Sequence, residues 1–130
     1  MKILVGYNGS GAAGDALTLA AKYAKAFNAV VDVVTSLEQG TENEIQDISG
    51  AEKNLEHAKS YFGKEKIQCT THLLIRGMTP GEDLVSFARE NEADLIIIGV
   101  KRRSKVGKLV FGSTAQYVIL QAPCPVVSVK

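Results

Sequence analysis

Short runs of Val, Ile and Leu alternate along the chain with longer stretches in which apolar residues recur at helical spacing. The runs lie at residues 3–5, 30–34, 70–75, 94–98 and 125–129, and their near-continuous apolar character predicts five buried strands. Helical spacing predicts four helices, over residues 16–27, from Ile45 or Ala51 to Phe62, from Pro80 to about Asn91, and over residues 113–121. Strands and helices therefore alternate from one end of the chain to the other.

Strands that are apolar on both faces are typical of a parallel sheet that is covered by helices on each side. The expected fold class is α/β: a single Rossmann-like doubly wound domain over residues 1–130, with a five-stranded parallel sheet (order 3-2-1-4-5) and four helices on both faces. In such sheets ligands bind outside the carboxyl ends of the strands, where the strand order reverses. The loops after the first and fourth strands are therefore the first places to look for a site.

Turn and capping residues predict where several elements begin and end. Thr79 can cap the third helix, and Pro80 suits its first position. Gly63 is expected to end the second helix. The polar segment 36–50 is expected to begin as a loop.

Composition excludes several classes of partner. The 130 residues, 45% of them hydrophobic, suit one compact domain with a substantial core. A formal net charge of +1 gives no global field that favours nucleic acid or a membrane surface. No apolar run approaches the ~18 residues that span a bilayer, and the first strand is interrupted too soon for a signal peptide. We therefore expect a cytoplasmic protein with no nucleic-acid and no membrane partner.

Metal and catalytic chemistry find little support in the residue pattern. Cys69 and Cys124 lie far apart and match no metal or redox spacing, which is typical of structural thiols. His57 and His72 have no ligand partners at helical or loop spacing. The sequence also offers no nucleophile–histidine pair and no paired carboxylates at a loop tip. It predicts no metal site, no catalytic residues and no enzyme.

The first loop, NGSGAAGD, contains the G-x-G-x-x-G pattern of dinucleotide-binding proteins. Tyr7 and Asn8 come between the first strand and Gly9, however, and the acidic Asp32 lies in the middle of the second strand rather than at its end. An NAD-dependent oxidoreductase is therefore the weakest hypothesis. The alternative interpretation is a turn at Gly9, a cap at Ser10, and close helix–sheet contact at Gly11 and Gly14.

The loop after the fourth strand has a more specific pattern. Gly99 ends the strand, where a missing side chain would let a ligand lie against the backbone. Gly112, Ser113 and Thr114 open the last helix, whose N–H groups and positive dipole end attract anions. Between them stand five basic residues: Lys101, Arg102, Arg103, Lys105 and Lys108. The combination indicates a phosphate cradle, and its alternative is a solvated basic loop with a Gly-Ser cap.

Three segments resemble a known family: KILVGYNGS at the start, ADLIIIGV at the fourth strand, and GKLVFGSTAQYVILQAPCPVVSV at the end. On these segments the chain resembles the universal stress proteins of the UspA type over essentially its whole length. The resemblance implies a five-stranded parallel α/β domain with a role in stress response or signalling. It also implies a homodimer in which the last strand, Pro125 to Val129, pairs with its counterpart.

Many members of that family bind ATP through G-x2-G-x9-G-[S/T], and this chain matches the motif in part. Gly99, Gly112 and Ser113 keep the spacing, whereas Arg102 replaces the middle glycine and Asn8 replaces an aspartate after the first strand. Arg102 either blocks the close approach that glycine permits or pairs its guanidinium with phosphate oxygens. Asn8 can still form hydrogen bonds, but it lacks the negative charge of aspartate. This loss of charge would weaken the binding of a metal ion such as Mg²⁺ beside the phosphates.

The resemblance also implies which residues bind ATP or a related adenine nucleotide. Tyr7 and Asn8 should flank the nucleoside, with Ser36 near the adenine. The remaining residues should lie along the ribose and phosphates. The complete set is Tyr7, Asn8, Ser36, Gly99, Lys101, Arg102, Gly112, Ser113 and Thr114.

Two hypotheses from different classes follow. In the first, the chain is a nucleotide-binding module in which ATP biases the loops at 36–50 and 99–108 and so acts on a signalling partner that the sequence does not identify. In the second, Arg102 excludes the nucleotide. The chain is then a dimeric interaction module whose basic loop meets an acidic protein, a small anion or nothing. Under the first hypothesis, the resemblance implies at most a slow ATPase.

Overall fold

The computed structural model describes residues 1–9, 11–40, 42–100 and 112–130. Strands and helices alternate in the described chain, as β1 (Lys2–Gly6), α1 (Gly11–Phe27), β2 (Val30–Ser36), α2 (Glu44–Lys64), β3 (Cys69–Leu74), α3 (Pro80–Glu90), β4 (Leu95–Gly99), α4 (Ser113–Gln121) and β5 (Val126–Val129). The five strands form one sheet in the order β3-β2-β1-β4-β5, and each pair is parallel. The fold class and strand order expected from the sequence are therefore confirmed.

Successive residues of the central strands enter two different cores. Ile3 and Val5 of β1 pack with α1 and α2, whereas Leu4 between them packs with α3 and α4. The same alternation holds in β4, where Ile97 faces the first pair of helices and Ile96 the second. Burial of each such aliphatic side chain contributes about 1.5–3 kcal/mol to the free energy of unfolding. The strands read as continuous apolar runs because helices cover both faces of the sheet.

The strand order reverses between β1 and β4. Leu4 lies opposite Ile96, and Gly6 lies opposite Ile98, although these pairs are far apart in the sequence. The chain builds β2 and β3 on one side of β1 and then returns to place β4 and β5 on the other. The loops that leave β1 and β4 therefore diverge, and a crevice opens between them.

Two element bounds extend beyond their predictions. Helix α1 begins at Gly11 rather than Ala16. Strand β2 continues to Ser36 because Thr35 and Ser36 pair with Leu73 and Leu74 of β3. The extension makes Ser36 the last residue of a sheet strand, which fixes its position at the carboxyl edge.

The prediction that Gly63 ends the second helix is wrong. Helix α2 passes through Gly63 to Lys64, and the left-handed residue beyond it is Lys66, with φ +59°. The N–H of Lys66 donates to the carbonyl oxygen of Gly63 at 3.1 Å, so a non-glycine residue completes the turn. The prediction for the third helix is confirmed, since the Thr79 hydroxyl accepts from the N–H of Glu82 and the helix begins at Pro80.

The cysteines behave as structural thiols in the described structure. Cys69 and Cys124 are both free and half-buried. Burial, aided by the Asp32 carboxylate and opposed by Lys59, raises the pKa of Cys69 to about 11. Burial likewise raises the pKa of Cys124. Both sulfurs therefore stay protonated near neutral pH, which suppresses thiolate chemistry.

None of the helices in the described part of the chain has both the length and the apolar character that crossing a bilayer requires.

Candidate functional site

A cleft of about 940 Å³ opens at the carboxyl edge of the sheet, at the point where the strand order reverses. The turn after β1, the end of β2, the end of β4 and the start of α4 all contribute to its walls. Among the residues predicted to bind a nucleotide, the cleft brings together Tyr7, Asn8, Ser36, Gly99, Gly112, Ser113 and Thr114. The other two, Lys101 and Arg102, lie outside the described residues.

The turn after β1 is fixed by hydrogen bonds to β2. The N–H of Tyr7 donates to the carbonyl oxygen of Val34 at 2.9 Å, and the Thr35 hydroxyl donates to the carbonyl oxygen of Tyr7 at 2.6 Å. Tyr7 is buried, and this burial raises the pKa of its phenol. The next residue, Asn8, is exposed at the cleft. The position of Asn8 is therefore set by the two backbone hydrogen bonds of Tyr7, directly before it.

Gly9 completes that turn with φ +80°, a conformation that L side chains rarely adopt. An added Cβ would also lie 2.8 Å from the carboxamide carbon of Asn54 on α2. The interpretation of Gly9 as a turn residue is therefore confirmed, whereas the expected cap at Ser10 lies outside the described residues.

The start of α4 lines the cleft with groups that suit an anion. Its N-cap residue, Gly112, makes no side-chain capping hydrogen bond. The N–H groups of the first turn and the positive end of the helix dipole are therefore offered beside the hydroxyls of Ser113 and Thr114. This arrangement suits the oxygens of a phosphate.

The described wall of the cleft carries little positive charge. Its lining residues within the described ranges include Asp47 but no Lys and no Arg. The segment 101–108, which is rich in Lys and Arg, lies outside the described residues.

Two glycines act differently from the sequence-based interpretation. A Cβ on Gly99 would lie 2.6 Å from the backbone carbon of Ala12 and 2.8 Å from the nitrogen of Ala13, so this glycine lets α1 approach β4 closely. Its missing side chain is therefore required by helix packing, even though Gly99 also lines the cleft. Gly14 was expected to permit such a contact, and that expectation is wrong because a Cβ there would meet nothing within 4 Å.

Ser36 has a buried partner that sequence reasoning missed. Its Oγ donates to Oδ2 of Asp83 on α3 at 2.7 Å, and Asp83 is completely buried. The other carboxylate oxygen, Oδ1, accepts from Nε of Arg76. One signal was available in the sequence: Asp83 stands four residues before the buried Phe87, so an acid falls within the apolar stripe of an amphipathic helix.

Arg76 holds this cluster together. Its guanidinium bridges Asp83 and Glu90, with Nη1 3.0 Å from a carboxylate oxygen of Glu90. Burial lowers the pKa of Arg76, but the hydrogen bonds to Asp83 and Glu90 outweigh that effect and raise it. Asp83 therefore faces a permanent cation.

Helix α2 supplies a wall of the cleft that sequence reasoning also missed, because the sequence leaves the start of this helix open between Ile45 and Ala51 and assigns none of its residues to the site. The contributing residues are Gln46, Asp47, Gly50, Ala51 and Asn54. Their spacing of three and four places them on one helical face, which was the available signal.

The structure does not place Asp32 where the acidic residue of a dinucleotide-binding protein contacts the ribose. Oδ1 of Asp32 lies 2.9 Å from Nε2 of His72, within the paired part of β2 and β3 rather than at the strand end. Within the described residues, no group of three or more His, Cys, Asp or Glu is placed to hold a metal ion.

Comparison with known proteins identifies relatives of this chain. The sequence model of the universal stress protein family matches residues 1–130. A universal stress protein of Mycolicibacterium smegmatis is 41% identical over 54 residues, which make up 42% of this chain and 42% of that protein. The matched segment is thus less than half the length of that curated relative.

Several solved structures are similar over the full chain, and two of them come from Archaeoglobus fulgidus. The universal stress protein from Archaeoglobus fulgidus superposes with a TM-score of 0.93 and 41% identity, covering 100% of this chain and 98% of that one. The structure of the universal stress protein from the same organism in complex with dAMP has a TM-score of 0.84 and 38% identity, with the same coverage of 100% and 98%.

Proposed function

The chain belongs to the universal stress protein family, and we propose that it is a nucleotide-binding module whose cleft takes ATP or a related adenine nucleotide. One observation carries the proposal: Asn8, Ser36 and Ser113, from three separate segments, line a single cleft at the reversal of strand order. The complex of a 38% identical relative with dAMP supports an adenine nucleotide as the ligand.

The dimensions of the sheet suit a nucleotide lying across it. The ends of β2 and β4 are separated by β1, which puts them about 10 Å apart at the spacing of neighbouring strands. The base would lie at the β2 end, against apolar Pro80 and Leu84. The phosphates would lie at the start of α4, where the helix dipole favours negative charge.

The proposed role is regulatory binding rather than efficient catalysis. Nucleotide would favour one arrangement of the loops around the cleft, and a partner would recognise that arrangement. The edge strand β5, which pairs with β4 on one side, would pair with a second copy of the chain in a homodimer.

Removing the hydroxyls at the start of α4 tests the phosphate end of the site. We expect the double variant S113A/T114A to bind ATP at least about tenfold more weakly, because two hydrogen bonds to phosphate oxygens are lost. Isothermal titration calorimetry measures the change, and S60A, on the exposed surface of α2, is the matched control. The absence of both heat and thermal shift with ATP and AMP in the unmodified protein would refute the proposal.

Arg102 decides between nucleotide binding and the alternative interaction module. Because the described cleft wall has no Lys or Arg, we expect Arg102 to pair with phosphate and R102G to weaken ATP binding about tenfold or more. AMP, with fewer phosphates, should be affected less. Binding of ATP to R102G but not to the unmodified protein would instead support the interaction module.

A further inference from the structure

The hydroxyl of Ser36 has a fixed direction because it donates its hydrogen bond to the carboxylate of Asp83. The oxygen–oxygen distance is 2.7 Å, and Asp83 is completely buried on α3. A carboxylate that faces a guanidinium only accepts hydrogen bonds, so Ser36 must be the donor. A serine hydroxyl has one proton, and its oxygen therefore retains capacity only to accept.

Asp83 cannot easily reorient to release that proton. Its second oxygen accepts from Nε of Arg76, and Nη2 of Arg76 donates to the backbone carbonyl of Asp83 at 3.3 Å. Glu90 holds the far side of the same guanidinium at 3.0 Å. The donors in this chain of bonds are thus fixed: Arg76 donates to Glu90 and to Asp83, and Ser36 donates to Asp83.

Ser36 also has a defined place in the cleft. It ends β2, two strands away from β4, and it lines the cleft together with Val34, Leu84 and Pro80. This apolar end suits the ring of a base, whereas the start of α4 suits the phosphates. A hydrogen-bonding group at the apolar end would meet the edge of the base.

We infer that Arg76 and Asp83 fix Ser36 as an obligatory acceptor, and that Ser36 selects a base with an exocyclic amine over one with an oxo group at the same position. The inference rests on the proposed function and specifies the ligand of that site. A 6-aminopurine donates to the Ser36 oxygen. A 6-oxopurine brings a second acceptor to the same place, so the hydrogen bond is lost and two polar atoms are left unpaired. Ser36 determines specificity, and Asp83 and Arg76 position it.

The affinities for AMP and IMP, measured by calorimetry, test the role of Ser36. We expect the unmodified protein to prefer AMP by about tenfold. In S36A the ratio should fall close to one, whereas the exposed control S60A should leave it unchanged. AMP and IMP also differ at N1 of the ring, but discrimination that arises there would survive in S36A. A ratio unchanged in S36A would therefore overturn the inference.

The variant D83N tests the role of Asp83 as a positioning residue. Arg76 can donate only to the amide oxygen of the new side chain, so the amide nitrogen would face Ser36 and donate to it. The Ser36 proton would then be released toward the ligand, and the preference should shift toward IMP. If Asp83 is merely structural, both affinities should fall together with their ratio unchanged. S36A keeps the test decisive if thermal melting shows that D83N does not fold.

The outcomes separate this inference from the proposed function. If the unmodified protein binds AMP and IMP equally, the inference fails while the proposed function stands. If it binds neither AMP nor ATP, both fail. A preference for AMP that is lost in S36A supports both.

Discussion

At the residue scale, two glycines for which the sequence predicts close contacts have different structural roles. Gly99 is required because the backbone of α1 occupies the space that a Cβ would fill. Gly14 lies in α1 itself, with open space around the corresponding position. The sequence predicts a special role for both, but it cannot distinguish them because the difference depends on where α1 crosses β4.

Alanine substitutions measure this difference directly. We expect G99A to lower the free energy of unfolding by about 1–3 kcal/mol, since a Cβ there overlaps backbone atoms of Ala12 and Ala13. The matched variant G14A should raise it by about 0.5–1 kcal/mol through helix propensity. Chemical denaturation measures both, and equal stability of G99A and the unmodified protein would contradict the close approach.

For the site, the sequence predicts individual residues better than it predicts their partners. Ser36 was placed near the base through the family resemblance, and the structure puts it on the cleft wall. Its partner Asp83 lies 47 positions further along the chain, on α3. An acid in an apolar helix stripe signals a buried partner, but the identity of that partner depends on how the helix packs against the sheet.

At the element scale, α2 shows why a glycine does not always end a helix. The buried face of α2 at Leu55, Ala58 and Phe62 reaches the residue directly before Gly63, and this packing outweighs the low helix propensity of glycine, so the helix runs on to Lys64. The reversal then falls on Lys66, which adopts a conformation that favours glycine.

Replacing Gly63 by a better helix former, and Lys66 by glycine, should stabilise the end of α2. We expect G63A to raise the free energy of unfolding by about 0.5–1 kcal/mol, because a Cβ at residue 63 meets no atom within 4 Å. K66G should add a similar amount, about 1 kcal/mol, by relieving the left-handed strain, whereas K66A should not. Thermal and denaturant unfolding test the series, and a loss of stability in G63A would show that the helix does end there.

At the scale of the whole molecule, periodicity alone predicted most of the fold. Apolar strands and amphipathic helices in alternation required a parallel sheet with helices on both faces, and the reversal of strand order placed the cleft. The sequence does not predict the α2 wall, because it leaves the start of α2 open between Ile45 and Ala51 and does not show which face of the helix meets the cleft. Topology is thus readable from pattern, while the contents of the cleft depend on the packing between elements.

The central claim is that one adenine nucleotide lies across the cleft from β2 to α4. Titration of ¹⁵N-labelled protein with AMP, followed by amide chemical shifts, tests it most directly. We predict that the amides of Asn8, Ser36 and Ser113 shift together with one dissociation constant, while that of Ser60 does not move. Saturating AMP that leaves these three amides unshifted, or that shifts only residues remote from the cleft, would contradict the claim.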